Sequence, residues 1–211
     1  MESPIGLFGG TFSPVHHGHL RSALDICQAL ELSSVTLIPN YLSPHKAAQD
    51  VNAHHRLAML KLATSISPML SISDIEISSE NTSYTVDTVR SFRAQYPNRP
   101  LCFLMGMDSL INFTKWHQWQ EILANCHLIV SKRPGYDISD NSDAANLLTD
   151  YQTTDIAQIK STLNGRIFVY EAHPLAISSS QMRQALKDGN SITYLTPPAV
   201  EDYIATHQLY R

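Results

Sequence analysis

The alternation of apolar and polar positions divides the chain into short apolar runs and longer stretches with helical spacing. Ile5, Leu7 and Phe8 form an apolar run that ends at Gly9-Gly10, which predicts a buried strand over 5–8. Beyond Gly18, Leu20, Ala23, Leu24, Cys27 and Leu30 recur at i, i+3, i+4 spacing and predict a helix. Residues 33–39 read as a second buried strand ended by Pro39, and 40–52 as a loop rich in Pro, Asn and Ser. A helix is expected over 53–66, a strand over 70–77 from the alternation of Leu70, Ile72, Ile75 and Ile77, and a helix over 84–96 stopped by Pro97. The run 101–105 is apolar throughout and predicts a central strand. Helical turns over 109–124 and a strand over 127–131 follow. Residues 136–155 are polar, and Asp137, Asp140, Asp143, Asp150 and Asp155 are scattered through them. They lack the ordered spacing of a calcium loop, so the stretch reads as a solvated insertion. A short helix over 156–163 and a strand over 167–170 come next. Ser178 with Gln181 three residues on is a capping-box pattern opening a helix to about Lys187. Pro198 suits the first turn of a last helix over 199–207.

Strands alternating with helices predict an α/β fold: a doubly wound, Rossmann-like parallel sheet with helices on both faces and right-handed crossovers. The whole of 1–211 reads as one domain, with a small helical part over 178–211 at its end. Ligands of such sheets lie beyond the carboxyl ends of the strands. That rule selects the turns after the first, second, fourth and fifth strands and the segment leading to Ser178.

Composition narrows the reading. The chain is 43% hydrophobic and 16% charged, which is globular, and its net charge of −4 includes no basic run suited to nucleic acid. No apolar run approaches the roughly 20 residues of a membrane span. The start, Met-Glu-Ser-Pro, lacks the features of a signal peptide. Cys27, Cys102 and Cys126 are widely spaced in apolar contexts, as expected of reduced, buried thiols in a cytoplasmic protein. Homo-oligomerisation is left open.

The selected turns hold the residues with chemical potential. Gly9 and Gly10 lack Cβ, so the backbone there can turn sharply and approach a ligand. The helix beyond Gly18 offers N–H groups and a positive dipole end to an anion, and His16 and His19 add imidazole donors. Pro44-His45-Lys46 places cationic groups in the loop after the second strand. His54-His55-Arg56 is expected at the surface, because cations at a helix start oppose its dipole. Ser83-Tyr84-Thr85 can cap a helix or present its N–H groups to a carboxylate. Trp116, among Thr114, Lys115 and His117, lies outside a clean apolar stripe and offers a flat ring for stacking. Gly106-Met107-Asp108-Ser109 puts an acid where a ribose hydroxyl could bind, and Arg133 ends the fifth strand. Ile177-Ser178-Ser179-Ser180 with Arg183 carries more hydroxyls than capping requires.

Taken together, Gly-Gly-Thr-Phe-x-Pro-Val-His-x-Gly-His resembles the phosphate-binding segment of the nucleotidylyltransferases, within which the chain looks most like bacterial nicotinate-nucleotide adenylyltransferase. Ser13 departs from the Asp usual in that family. The resemblance implies that His16, His19, Lys46 and Arg183 serve catalysis. It implies ATP binding by Gly9, Gly10, Thr11, Phe12, Gly18, Gly106, Asp108, Ser109, Arg133, Ile177, Ser178 and Ser179. It implies nicotinate-nucleotide binding by His45, Ser83, Tyr84, Thr85, Trp116 and His117, with the Trp116 ring on the pyridine. The implied substrates are ATP and nicotinate mononucleotide. Magnesium is implied as the ion of MgATP, held mainly by phosphate oxygens and water with no dedicated protein cage. Alternatives are a sister enzyme such as pantetheine-phosphate adenylyltransferase and a non-catalytic nucleotide sensor. A class I tRNA synthetase shares His-x-Gly-His, but the chain leaves little room for a tRNA-binding part and has no Lys-Met-Ser-Lys-Ser segment.

Overall fold

The structure is a computed structural model and describes residues 2–42, 51–132, 142–171 and 175–211. Its centre is a sheet of six parallel strands: β1 (Ile5–Gly10), β2 (Ser34–Pro39), β3 (Leu70–Ile72), β4 (Leu101–Gly106), β5 (His127–Lys132) and β6 (Ile167–Glu171). Their order is β3-β2-β1-β4-β5-β6. The chain winds outward from β1 to β3, then returns across to β4 and winds outward the other way. The topological switch therefore falls between β1 and β4, where open α/β sheets bind ligands.

Alternate residues of the central strands feed two separate cores. Cys102, Leu104 and Ile129 face one side, where they meet Ala23, Ile26 and Cys27 of helix α1 (His17–Ala29) and Met59, Leu60 and Ala63 of α2 (Ala53–Thr64). Leu101, Phe103, Met105, Leu128 and Val130 face the other, against Val86, Val89 and Phe92 of α4 (Thr85–Gln95). α3 (Ile75–Ser78) and the short α5 (Met107–Ile111) and α6 (Trp119–Leu123) complete the middle of the chain. α7 (Asp143–Tyr151), α8 (Ile156–Ser161), α9 (Ser179–Lys187) and α10 (Pro198–Thr206) follow. Burying both faces is what allows β4 and β5 to be apolar without alternation. The doubly wound α/β expectation holds, with α9 and α10 packed on the α1–α2 side through Met182, Val200 and Ile204.

Several local expectations are corrected. The run 70–77 is not one strand: β3 stops at Ile72, and Ile75 to Ser78 form α3. Two apolar pairs in register with a strand also fit a strand followed by a single helical turn. The helical stretch 109–124 is broken into α5, one 3₁₀ turn over Phe113–Lys115, and α6. Trp116 is extended and Gln118 takes a left-handed conformation (φ 50°), which interrupts the helix at Trp116-His117-Gln118. The polar stretch 136–155 is not wholly solvated, for α7 buries Ala144 and Leu147 against the second core. All three cysteines are buried free thiols, and burial pushes each thiol pKa up.

Candidate active site

A cleft of about 670 Å³ opens at the carboxyl ends of β1 and β4, at the switch point. β1 runs on through Gly9 and Gly10, so the glycines end the strand instead of forming the turn. Their missing Cβ atoms make room for rings: one on Gly10 would lie 2.9 Å from Phe12, and one on Gly9 3.3 Å from Phe103. The left-handed backbone falls on Phe12 (φ 49°), whose ring is buried beneath the turn. An aromatic residue in that region is held there by its surroundings.

Phe12 and the two histidines form one stack. The His16 and His19 rings lie 3.7 Å apart and nearly parallel, and Phe12 meets His19 edge-on at 5.1 Å. His16 is the N-cap of α1: its Nδ1 accepts the His19 N–H at 3.3 Å. The ring lies over Gly18, where a Cβ would come within 3.0 Å of it. His19 lines the cleft, whereas His16, only 2% exposed, stands behind it. Sequence reasoning treated the two as equal donors; the structure gives them different places.

The C-terminal segment clamps this loop from outside. Arg183 Nη1 donates to the Ser13 carbonyl at 2.8 Å, Ser179 Oγ to the Pro14 carbonyl at 2.9 Å, and Thr196 Oγ1 to the Val15 carbonyl at 2.8 Å. The His17 N–H donates to the Leu195 carbonyl at 2.9 Å, and the Tyr210 hydroxyl lies 3.0 Å from Ser13 Oγ. Ser178 caps α9, accepting the Gln181 N–H at 3.2 Å as its spacing predicts. The Ile177 carbonyl sits 3.6 Å from where a Gly18 Cβ would be. Phe12 is buried within the loop, Ser179 and Arg183 are bonded to it, and none of Phe12, Ile177, Ser178, Ser179 and Arg183 is on the cleft wall.

Across the cleft stand Ser83, Tyr84, Thr85, Trp116 and His117. Trp116 is half-buried, edge-on to Phe103 at 6.2 Å, and the Tyr84 and His117 rings are 4.8 Å apart. The expected capping by this segment is not seen. The Ser83 hydroxyl accepts the Tyr41 N–H at 2.9 Å, and Tyr84, the N-cap of α4, makes no side-chain cap bond. Gly106, Asp108 and Ser109 line the floor, with an Asp108 carboxylate oxygen folded over the Gly106 Cα. His45, Lys46 and Arg133 lie outside the described residues.

Two residues were missed. Arg56, expected at the surface, is fully buried and donates to loop carbonyls on both sides. A cation misplaced for its own helix dipole is the signal that could have marked it. Glu76 lines the cleft and accepts from Thr88 Oγ1 at 2.5 Å; burial pushes its pKa up. It was hidden inside the supposed third strand. Among the described residues, no group of three or more His, Cys, Asp or Glu side chains could hold a metal ion, and no helix is long and apolar enough to cross a membrane.

A parallel sheet with a cleft of mixed polar and apolar lining at its switch point, a glycine-ended first strand and an imidazole at the next helix entrance define a nucleotide-binding α/β protein. The cytidylyltransferase-like family model matches residues 7–185, and the chain belongs to that family. It is 42% identical to the "Probable nicotinate-nucleotide adenylyltransferase" of Psychromonas ingrahamii over 100% of this chain and 98% of that one. It is also 42% identical to the protein of the same name from Aeromonas salmonicida, over 100% and 99%. Among solved structures, the fold matches a Plasmodium falciparum nicotinic acid mononucleotide adenylyltransferase complexed with NaAD. The TM-score there is 0.75 at 19% identity, over 99% of this chain and 97% of the other.

Proposed function

We propose that the protein transfers the adenylyl group of MgATP to nicotinate mononucleotide, giving nicotinate adenine dinucleotide and pyrophosphate for NAD biosynthesis. An acceptor phosphate oxygen attacks the α-phosphorus of ATP; the new P–O bond forms as the bond to the β-phosphate bridging oxygen breaks. A phosphomonoester has a second pKa near 6 and is mostly dianionic at neutral pH, so the nucleophile requires no general base. What remains is to hold two polyanions in line and to stabilise charge on the transferred group and on pyrophosphate. Magnesium enters with the triphosphate, held by its oxygens and water.

His19, on the cleft wall, is assigned to the phosphates, with His16 fixing its ring and the backbone of Gly9, Gly10 and Thr11 beside the nucleotide. Arg183, which donates to the Ser13 carbonyl, is assigned to bracing the loop that meets the phosphates, and Lys46 to their charge. Asp108 and Ser109 are assigned to the nucleotide sugar. Trp116 and the Ser83–Thr85 segment, across the cleft, are assigned to the pyridine ring and its carboxylate.

The observation that carries this reading is the pairing of two unlike walls in one cleft: an imidazole and glycine backbone on one side, an indole and a helix start on the other. The test is pyrophosphate release from ATP with nicotinate mononucleotide, nicotinamide mononucleotide and phosphopantetheine as separate acceptors. Turnover is expected to be fastest with the nicotinate form. Preference for either other acceptor, or no release with any, overturns the assignment.

A further inference from the structure

Arg56 is an expensive residue to bury. It is 0% exposed, although it belongs to the first turn of α2, where a cation gains nothing from the helix dipole. A well-packed apolar side chain of similar volume commonly does at least as well for stability as a buried ion. Its guanidinium contacts are carbonyl oxygens from two loops. Nη1 donates to Thr11 O at 2.8 Å and to Asn40 Oδ1 at 3.1 Å. Nη2 donates to Asn40 O at 2.6 Å and to Tyr41 O at 3.2 Å. Burial pulls the Arg56 pKa down, while the fields of Tyr210 and Glu76 hold the charge in place.

These acceptors belong to the cleft's own margins. Thr11 follows β1 directly, and Asn40 follows β2; both line the cleft. Asn40 Nδ2 donates to Thr11 Oγ1 at 3.3 Å. Tyr41 continues the path, donating its N–H to Ser83 Oγ at 2.9 Å, and the Ser83 N–H donates to the Leu42 carbonyl at 2.9 Å. One planar fork therefore joins the glycine wall to the β2 loop, and that loop carries the Ser83 wall. A guanidinium can do this because its donors diverge in a fixed plane; an ammonium is a point charge.

We propose that Arg56 is a positioning residue for adenylyl transfer: it sets the separation between the wall that holds the triphosphate and the wall that holds the acceptor. The inference rests on the adenylyl-transfer reading above. Its consequence is specific. Each substrate meets chiefly one wall, so loss of the fork leaves binding of either alone in place but disturbs their alignment. A misplacement of about 1 Å between reacting groups costs on the order of 10²-fold in rate.

The test uses the full-length chain with Arg56→Lys and Arg56→Met. For each, kcat is measured with ATP and nicotinate mononucleotide, and Kd for each substrate alone is measured by calorimetry. Arg56→Lys is expected to lose ~10–10²-fold in kcat with both Kd values near those of the parent. Guanidinium chloride at sub-denaturing concentration is expected to raise the turnover of Arg56→Met, and equal sodium chloride is not. Should Arg56→Met fail to fold, Arg56→Lys, which keeps charge and most of the volume, decides the matter. Parental kcat in Arg56→Lys overturns the inference, as does a loss of kcat matched by the unfolded fraction in circular dichroism or by weakened Kd values. A parent protein that makes no product overturns the function and this inference together; an active parent with an unimpaired Arg56→Lys overturns the inference alone.

Discussion

The two walls of the cleft are built to different standards. On the glycine side, every residue from Ser13 to Val15 and also His17 is hydrogen-bonded to the C-terminal segment, and Thr11 is bonded to Arg56. His19 is fixed by ring contacts with His16 and Phe12. On the other side, Trp116 and His117 sit in a three-residue break between short helices, and Tyr84 is 37% exposed. Dipoles aimed at developing charge help only if they need not reorganise during the reaction, which explains the rigid side. A wall that recognises a flat ring needs shape and a few polar groups, and tolerates adjustment. On the proposed function, the rigid side would set the rate and the other would select the acceptor.

The largest expected effect is at the rigid wall. His19→Ala should lower kcat by ~10²–10³-fold with an unchanged circular dichroism spectrum, since loss of one preorganised donor costs that much. A folded variant with near-parental turnover would dissolve the distinction. Next is a control at the opposite, amino-terminal edge of the sheet. His127 is fully buried, with Nε2 2.9 Å from the Thr162 carbonyl and Nδ1 accepting the Arg166 N–H at 3.2 Å, an arrangement that suits a neutral ring. Burial drives its pKa down from 6.5 to about 4. Below pH 6.5 the unfolded chain therefore takes up a proton that the native state refuses. The stability His127 provides is complete above that pH and is lost as pH falls toward 4, at most about 3 kcal/mol. Urea midpoints should follow this trend and His127→Gln should flatten it, while kcat of the folded fraction stays independent of the substitution.

Smaller effects probe selection and anchoring. Trp116→Ala should raise KM for nicotinate mononucleotide roughly ten-fold, as the loss of a stacked ring implies, with little change in KM for ATP. An equal rise for both substrates would place the indole elsewhere in function. Tyr210→Phe removes the hydroxyl that faces Ser13 Oγ, both residues being buried. About 1 kcal/mol of stability should be lost in chemical denaturation, with turnover changed only slightly. A ten-fold drop in kcat would mean that the clamp acts on chemistry as well as on folding.

Much of this molecule was legible from spacing. The apolar runs at 5–8 and 101–105 marked buried strands, the second of them central, because buried parallel strands need no polar face. The Ser178-Gln181 spacing located the start of α9, a purely local property. The motifs at Gly9–Thr11, His19 and Trp116 meet in one cleft, as the carboxyl-edge rule required; Ser83–Thr85, after the third strand, joins them without having been selected by that rule, and the selected segment at Ser178 does not line the cleft. Failures came where a long-range partner decides. Ile75 and Ile77 fit a strand until the register with β2 ends at Ile72. Arg56 looked like a surface cation until carbonyls from two distant loops surrounded it.

The sequence by itself determined the α/β class, the family and the residue types available to the site, because periodicity, turn chemistry and short motifs are encoded over neighbouring positions. Only the tertiary structure decided which imidazole reaches the cleft, where the left-handed residue falls, and that the C-terminal helices and Arg56 brace the first loop. Those are outcomes of packing and of hydrogen bonds between residues as far apart as Ser13 and Tyr210, whose energies exist only once the sheet has brought them together.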